Sequence, residues 1–222
     1  MEKVLLIIWV ITGLILLVGG IIVAVRRYEK KRTEALQLAA QSMSLSFSKH
    51  PDTDLLTSLK RFPLFSQGHS RRAVNVMQGQ ADEIQIILFD YRYTVGGGKH
   101  QHTHHQTVVV LKSAVLNLPV FSLKPQHIFH NIGKVFGYQD IDFESHPLFS
   151  EKYLLRAPDE TAIRDLFSPN ILEYFEARPG LSAEAGLDQL VFFRASKRSK
   201  PEDLPQLLKD GFHVYTLLKK RA

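Results

Sequence analysis

The stretch that decides the fold is Val4–Val25, VLLIIWVITGLILLVGGIIVAV, which holds no charged residue over 22 positions. A helix rises ~1.5 Å per residue, so this run covers about 33 Å and can cross the ~30 Å hydrocarbon core of a bilayer. The sequence therefore predicts a transmembrane anchor over residues 1–32, with Val4, Trp9 and Val25 in the bilayer. A basic collar follows, which we expect at the membrane surface: Arg26, Arg27, Lys30, Lys31 and Arg32.

The charges beside the anchor predict its orientation. Five basic residues follow the apolar run, whereas Lys3 alone precedes it. Because basic residues beside a span stay in the cytoplasm, we expect a single-pass protein of the cell (inner or plasma) membrane, with its N-terminus outside and residues 33–222 in the cytoplasm. The run is also longer than the core of a cleavable signal peptide. Gly20 and Ala24 form a small-xxx-small pair, so a homodimer through this helix is an open alternative.

Composition indicates a globular domain behind the anchor. The chain is 45% hydrophobic and 10% aromatic, which is enough for a packed core. Its net charge of +6 comes mostly from residues 1–32, where six Lys/Arg face Glu2 and Glu29. A nucleic-acid-binding surface needs a basic stripe on the domain itself, so we expect no nucleic-acid partner. The absence of cysteine excludes disulfides and thiolate metal sites.

Alternating residues predict a mostly antiparallel sheet. Glu83–Val95 is the strongest strand, and Gly96–Lys99 breaks it before Gln106–Leu111 returns as the second arm of a hairpin. One face of the strand carries Ile84, Ile86, Leu88, Asp90 and Arg92, and the other carries Ile87, Phe89, Tyr91 and Tyr93. Since Asp90 and Arg92 follow the apolar positions, we expect them where the strand emerges into solvent.

Shorter strands and helices follow, ending in an amphipathic helix over residues 202–220. Hairpins together with partly segregated helices predict an α+β fold. We therefore expect a single N-terminal transmembrane helix followed by a mostly antiparallel sheet domain with packed helices. This domain covers residues 33–222, and an internal boundary near 140–150 is the alternative.

On both sides of this boundary the chain resembles a family of uncharacterised bacterial membrane-associated proteins, in which a β-rich half precedes a strand, an acidic helix, an LFSP motif and a hairpin. The resemblance spans roughly residues 85–195 and implies membrane placement and fold, but no reaction. The residues that carry it are Phe89–Tyr93, Gln106–Val108, Asp142, Phe143, Phe149, Tyr153–Leu155, Asp159, Ala162–Pro169 and the hairpin at 181–194.

Two polar stretches are candidates for chemistry. The hairpin tip, residues 96–105, holds four histidines, and continued strand geometry would place His100, His102 and His104 on one face as ligands for Zn²⁺. A solvent-exposed polar loop is the favoured interpretation of this tip. The second stretch is an acidic row, Asp140, Asp142, Glu144 and His146, which an extended segment would present on one face as an oxygen-rich metal site or a general acid/base pair. The favoured interpretation is the polar face of an edge segment, with Ile141 and Phe143 buried beneath it.

The sequence thus favours a membrane-anchored cytoplasmic binding or scaffold domain, without a cofactor, that contacts the lipid bilayer and a protein partner. The hairpin tip and two basic runs, 197–200 and 219–221, are candidate contacts. The alternative function is a metal-dependent hydrolase that uses the histidines of the tip together with the acidic row. This alternative requires the two stretches to converge in space.

Overall fold

The first helix is the longest element of the described structure. In the computed structural model, which describes residues 2–50, 54–126 and 138–219, helix α1 spans Glu2–Ser42 without a break. At ~1.5 Å per residue this helix is about 60 Å long. The apolar part is exposed throughout, whereas Arg32, Leu36 and Ala40 are buried in the domain. These three residues are spaced by four and so lie on one face of the helix.

In the described parts of the chain, eight strands form one antiparallel sheet in the order β1-β2-β3-β4-β8-β7-β5-β6. Its two arms meet where β4 pairs with β8. The strands are β1 (Ser46–Ser48), β2 (His69–Ala81), β3 (Ile84–Val95), β4 (His102–Lys112), β5 (Leu118–Pro125), β6 (Tyr153–Arg156), β7 (Ser182–Leu187) and β8 (Gln189–Phe193).

Helices lie between these strands and after them. The described α-helices after α1 are α2 (Leu55–Ser58), α3 (Pro63–Ser66), α4 (Pro147–Lys152), α5 (Glu160–Leu166), α6 (Pro169–Glu176) and α7 (Leu204–Lys219). Two 3₁₀ turns are also described, Gly98–His100 and Pro201–Asp203.

Each face of the sheet has its own apolar core. Leu88 of β3 belongs to the core that also contains Leu36 of α1 and Leu207 of α7. Phe89, the next residue of β3, belongs to the opposite core, which contains Phe65 of α3. The alternation predicted for this strand is therefore confirmed, and both of its faces are covered by helices.

The predicted class, an α+β fold with one long apolar helix and an antiparallel sheet with packed helices, is confirmed. The division between residues 32 and 33 falls inside α1. Strands from before and after 140–150 pair with each other, β5 with β6 and β7, and so belong to one sheet. The condition for placing His100, His102 and His104 on one face is not met: strand geometry does not hold through the hairpin tip, because His100 lies in a 3₁₀ turn before β4 begins.

Candidate functional site

A buried polar cluster joins α1 to the sheet, and we call it the helix–sheet junction: Arg32, Asn75, Asp90 and Thr107. Arg32 donates from Nε to Asp90 Oδ2 at 2.8 Å and from its terminal nitrogen to Oδ1 at 2.7 Å. Thr107 donates its hydroxyl to Oδ1 at 3.0 Å, and Asn75 donates its amide to Oδ2 at 3.3 Å. A carboxylate has about four acceptor sites, so Asp90 is fully satisfied.

The positions of these groups correct two expectations. Arg32 was expected at the membrane surface with the rest of the collar, but its side chain is 7% exposed. Asp90 was expected to mark the emergence of β3 into solvent, but it is 4% exposed. Arg32 shares the face of α1 that carries Leu36 and Ala40, and this face packs on the sheet. A buried ion pair of this kind is costly unless every remaining polar site is hydrogen-bonded, and here each carboxylate oxygen accepts twice.

A β-bulge brings Asn75 to the junction. The register of β2 against β3 shifts between Val74 and Met77, and Asn75 has a φ of 55°. Asparagine enters this left-handed region at lower cost than most residues. The bulge directs the Asn75 side chain between the helix and β3, where Oδ1 accepts the Thr33 hydroxyl at 3.0 Å. Asn75 therefore links α1 and β2 to Asp90.

The segment after β8 closes over the other side of the junction. The backbone N–H of Ser199 donates to the Thr107 hydroxyl at 3.0 Å. Arg198 forms a bidentate pair with Glu29 of α1, with both N–O distances at 2.9 Å. The helix is thus fastened to the domain twice, once by a buried pair and once by a half-exposed pair one turn nearer the membrane.

A cleft of about 420 Å³ opens beside the junction, next to the end of the apolar run. Three of its groups form a row across the sheet, because Arg72 of β2 lies opposite Arg92 of β3, which lies opposite His105 of β4. The remaining lining residues are Val25, Glu29, Val74, Asp90, Tyr91 and Arg198. The cleft therefore combines a basic floor with the membrane-proximal part of α1.

Burial and nearby charges lower the pKa of two histidines in this region, His104 and His105. Partial burial lowers the pKa of His105, and the nearby positive charges of Arg198 and Arg92 lower the pKa further, against the opposing effect of Glu29 and Asp90. Partial burial also lowers the pKa of His104, with smaller contributions from His102 and His105. Both imidazoles are therefore held towards their neutral form in the folded chain.

The predicted zinc ligands do not come together in the structure. His100 is exposed in the 3₁₀ turn, while His102 and His104 lie on the next strand with ring centroids 6.5 Å apart. His104 stacks on Tyr93 at 5.0 Å and bonds the Ser196 hydroxyl at 2.7 Å through Nδ1. His105 lies on the opposite face of β4 from its neighbour His104, beside Arg92. Zinc binding at the tip stays a prediction.

The acidic row lies at the far edge of the sheet from the tip. The backbone of Asp140 forms an isolated antiparallel β-bridge with Arg156 of β6, and the Asp140 carboxylate accepts a hydrogen bond from the backbone N–H of Leu155 at 2.9 Å. Three strands separate β4 from β6, which at ~4.8 Å per strand spacing puts about 19 Å between them. The hydrolase alternative, which needs convergence, is therefore not supported. Over residues 2–50, 54–126 and 138–219, no group of three or more His, Asp or Glu side chains could hold a metal ion.

The remaining predicted site residues are placed along α1. Val4, Trp9 and Val25 are exposed on the apolar part of the helix, at 61%, 73% and 56%. The other collar residues, Arg26, Arg27, Lys30 and Lys31, are exposed on its continuation. Of the two basic runs, 197–200 contributes Arg198 to the cleft, and 219–221 extends beyond the described residues after Lys219.

Sequence reasoning missed the junction, although one signal pointed to it. Asp90 continues the apolar face of β3, and Arg32 continues the apolar stripe of α1 through Leu36 and Ala40. Opposite charges on two apolar faces are the pattern of a buried ion pair. Nothing local in the sequence indicated Asn75 or Thr107, because their roles depend on a bulge and on cross-strand register.

These features define the class of the protein: an α+β domain built continuously onto one long apolar helix that can cross a membrane. No protein-family model and no curated protein sequence matches the chain. Among solved structures, the chain is similar to the crystal structure of the mycobacterial trehalose monomycolate transport factor A, TtfA, with a TM-score of 0.63 and 13% identity. The match covers 84% of this chain and 93% of the TtfA chain in the crystal structure, and at this identity it shows a shared fold.

Proposed function

We propose that the chain is a single-pass membrane protein whose cytoplasmic domain binds a partner protein at the membrane surface. The observation that carries this proposal is the continuity of α1, which runs from the apolar segment into the core of the domain. Two bidentate pairs fasten the helix to the domain, Arg32 with Asp90 of the sheet and Glu29 with Arg198 of the segment after β8. The domain is therefore held in one orientation above the bilayer, which suits a docking platform.

The comparison supports an accessory role. The similar structure belongs to a protein named as a trehalose monomycolate transport factor, and the match covers most of this chain. We take this name as support for a role that depends on binding other components. We extend to this chain only that kind of role, acting by binding without catalysis of its own, and no substrate.

Retention of the apolar helix and its orientation are parts of the proposal. The basic collar after Val25 supports a cytoplasmic domain. A signal sequence would meet the same criteria of length and hydropathy. A reporter that is active only in the cytoplasm, fused after Ala222, tests the orientation, and mass spectrometry of the membrane fraction tests retention. A mature chain that begins near Ala24, or a reporter active only outside, would overturn the proposal.

Interruption of α1 tests whether the fixed orientation of the domain is needed for partner binding. Insertion of Gly-Ser-Gly between Arg27 and Tyr28 separates the anchor from the domain and leaves the ion pairs of Arg32 and Glu29 with the domain in place. Cross-linking in intact cells, followed by purification from solubilised membranes, should capture a membrane protein with the wild-type chain and much less of it with the insertion variant. Recovery of the chain alone, or equal capture by both, would contradict the proposal.

A further inference from the structure

The floor of the cleft carries positive charge that the described protein does not neutralise. Asp90 is paired with Arg32, and Glu29 is paired with Arg198. Within the described ranges, the side chains of Arg72 and Arg92 have no ion pair and no hydrogen bond. They lie directly opposite each other on β2 and β3, an arrangement in which like charges repel. Such a pair is stabilised by an anion bound between the two side chains.

The position of the cleft identifies the source of this anion. Val25, the last residue of the apolar run, lines the cleft together with Arg92 and His105. Glu29 lies four residues further along α1, which is about 6 Å beyond the end of the run. The headgroup region extends roughly 5–8 Å beyond the hydrocarbon core on each side. The basic row therefore lies at the depth of lipid phosphates.

The chemistry of the row matches a phosphate diester. Arginine offers a planar fork of donors that binds phosphate oxygens in pairs, and two forks on neighbouring strands can hold one phosphate group from two sides. His105, next to Arg92 in the row, adds a third potential donor. The volume of about 420 Å³ exceeds the ~30 Å³ occupied by one liquid water many times over, which leaves room for a headgroup.

We propose that the cleft binds the phosphate of an anionic phospholipid headgroup between Arg72 and Arg92. This inference rests on the proposed membrane anchor, but its test does not depend on topology or on a protein partner. Binding of this kind holds the domain against the bilayer surface and adds a lipid preference to the anchor. It is specific to the cleft and differs from the general attraction of the exposed collar.

The test uses the full-length chain in detergent micelles and water-soluble dihexanoyl lipids, measured by titration calorimetry against blank micelles. Wild type should bind dihexanoyl-phosphatidylglycerol at least tenfold more tightly than dihexanoyl-phosphatidylcholine. The double variant Arg72→Gln/Arg92→Gln should lose this preference. The matched control Lys60→Gln/Lys209→Gln removes the same charge from exposed positions outside the cleft and should change the affinity less than twofold.

Three outcomes would overturn the inference. Equal affinity for the two lipids would remove the headgroup preference. Equal losses in the cleft variant and the control would show attraction by net charge alone. Inorganic phosphate that binds as tightly as the phosphatidylglycerol would identify free phosphate as the ligand. A cleaved N-terminus or an external domain, by contrast, would be seen in the cell experiments and would leave these affinities unchanged.

Discussion

The helix–sheet junction and the hairpin tip are both rich in polar residues, yet they are built in opposite ways. The junction takes single residues from α1, β2, β3 and β4, and each of them is satisfied by another. The tip takes its histidines from one short stretch, and they separate into a turn and two faces of a strand. Convergence of distant segments therefore gives every group at the junction a partner, whereas the histidines of the tip, although close in sequence, lie apart.

The difference in burial has an energetic consequence. Groups in the junction have exchanged water for fixed partners, so removal of one leaves another buried and unpaired. Exposed groups at the tip return to water when a partner is lost, at little cost. Mutations in the two regions should therefore differ in effect by several kcal/mol.

The largest effect is expected from Arg32→Ala. Removal of one partner from a buried ion pair typically costs about 3–5 kcal/mol, because the other charge is left without compensation. Urea unfolding of the full-length chain in micelles, followed by circular dichroism, measures this loss. Lys30→Ala is a matched control, since Lys30 belongs to the same collar and forms an exposed pair with Glu34 at 3.8 Å. The control should cost roughly 0.5 kcal/mol or less, and equal losses would refute the buried role of Arg32.

A smaller effect is expected at the half-exposed attachment of the helix. Arg198→Ala removes the bidentate pair with Glu29, whose side chain is 44% exposed. Solvent screening limits such pairs to about 1 kcal/mol. A double-mutant cycle with Glu29→Ala isolates the coupling energy, which should shrink when salt is raised to ~1 M because the Debye length falls to about 3 Å. A coupling energy of zero at low salt would show that this pair does not stabilise the domain.

The pH dependence of stability should report the lowered pKa of His105 in the cleft beside the junction. The pKa of His105 is lowered in the folded chain, so the unfolded chain binds more protons below its usual pKa of about 6.5. Stability should therefore fall as the pH decreases from 6.5 towards the folded pKa, and it should be unaffected above 7. His105→Gln should unfold with a shallower dependence between pH 7 and pH 5. An equal dependence of stability on pH in wild type and variant would contradict the lowered pKa of His105.

The parts of the fold that the sequence predicted are those set by local pattern. Alternation along β3 predicted its two faces, and the break at Gly96–Lys99 predicted the hairpin that β3 forms with β4. The strand order was not predictable in this way, because β4 pairs with β8 across a long separation in the chain. Pairing of this kind depends on the packing of whole faces, which no single stretch encodes.

The candidate site could not be predicted from local sequence for the same reason. Arg32 and Asp90 are 58 positions apart, and each alone is an ordinary charged residue. Their relation is visible only when the apolar stripe of α1 is placed on the apolar face of β3. The row of Arg72, Arg92 and His105 likewise depends on cross-strand register. Sequence pattern predicted the faces, and tertiary register determined which charges meet on them.

The smallest effect is expected at the hairpin tip. His100→Ala/His102→Ala should change the free energy of unfolding by less than about 0.5 kcal/mol, because both side chains are exposed. The zinc hypothesis and the structure then give opposite expectations for calorimetric titration of the full-length chain with Zn²⁺. The separated positions of His100, His102 and His104 predict a flat trace for wild type and for the triple His→Ala variant alike. A saturable heat in wild type that the triple variant loses would show that the tip binds Zn²⁺. Local composition alone would then have been sufficient to predict a functional site.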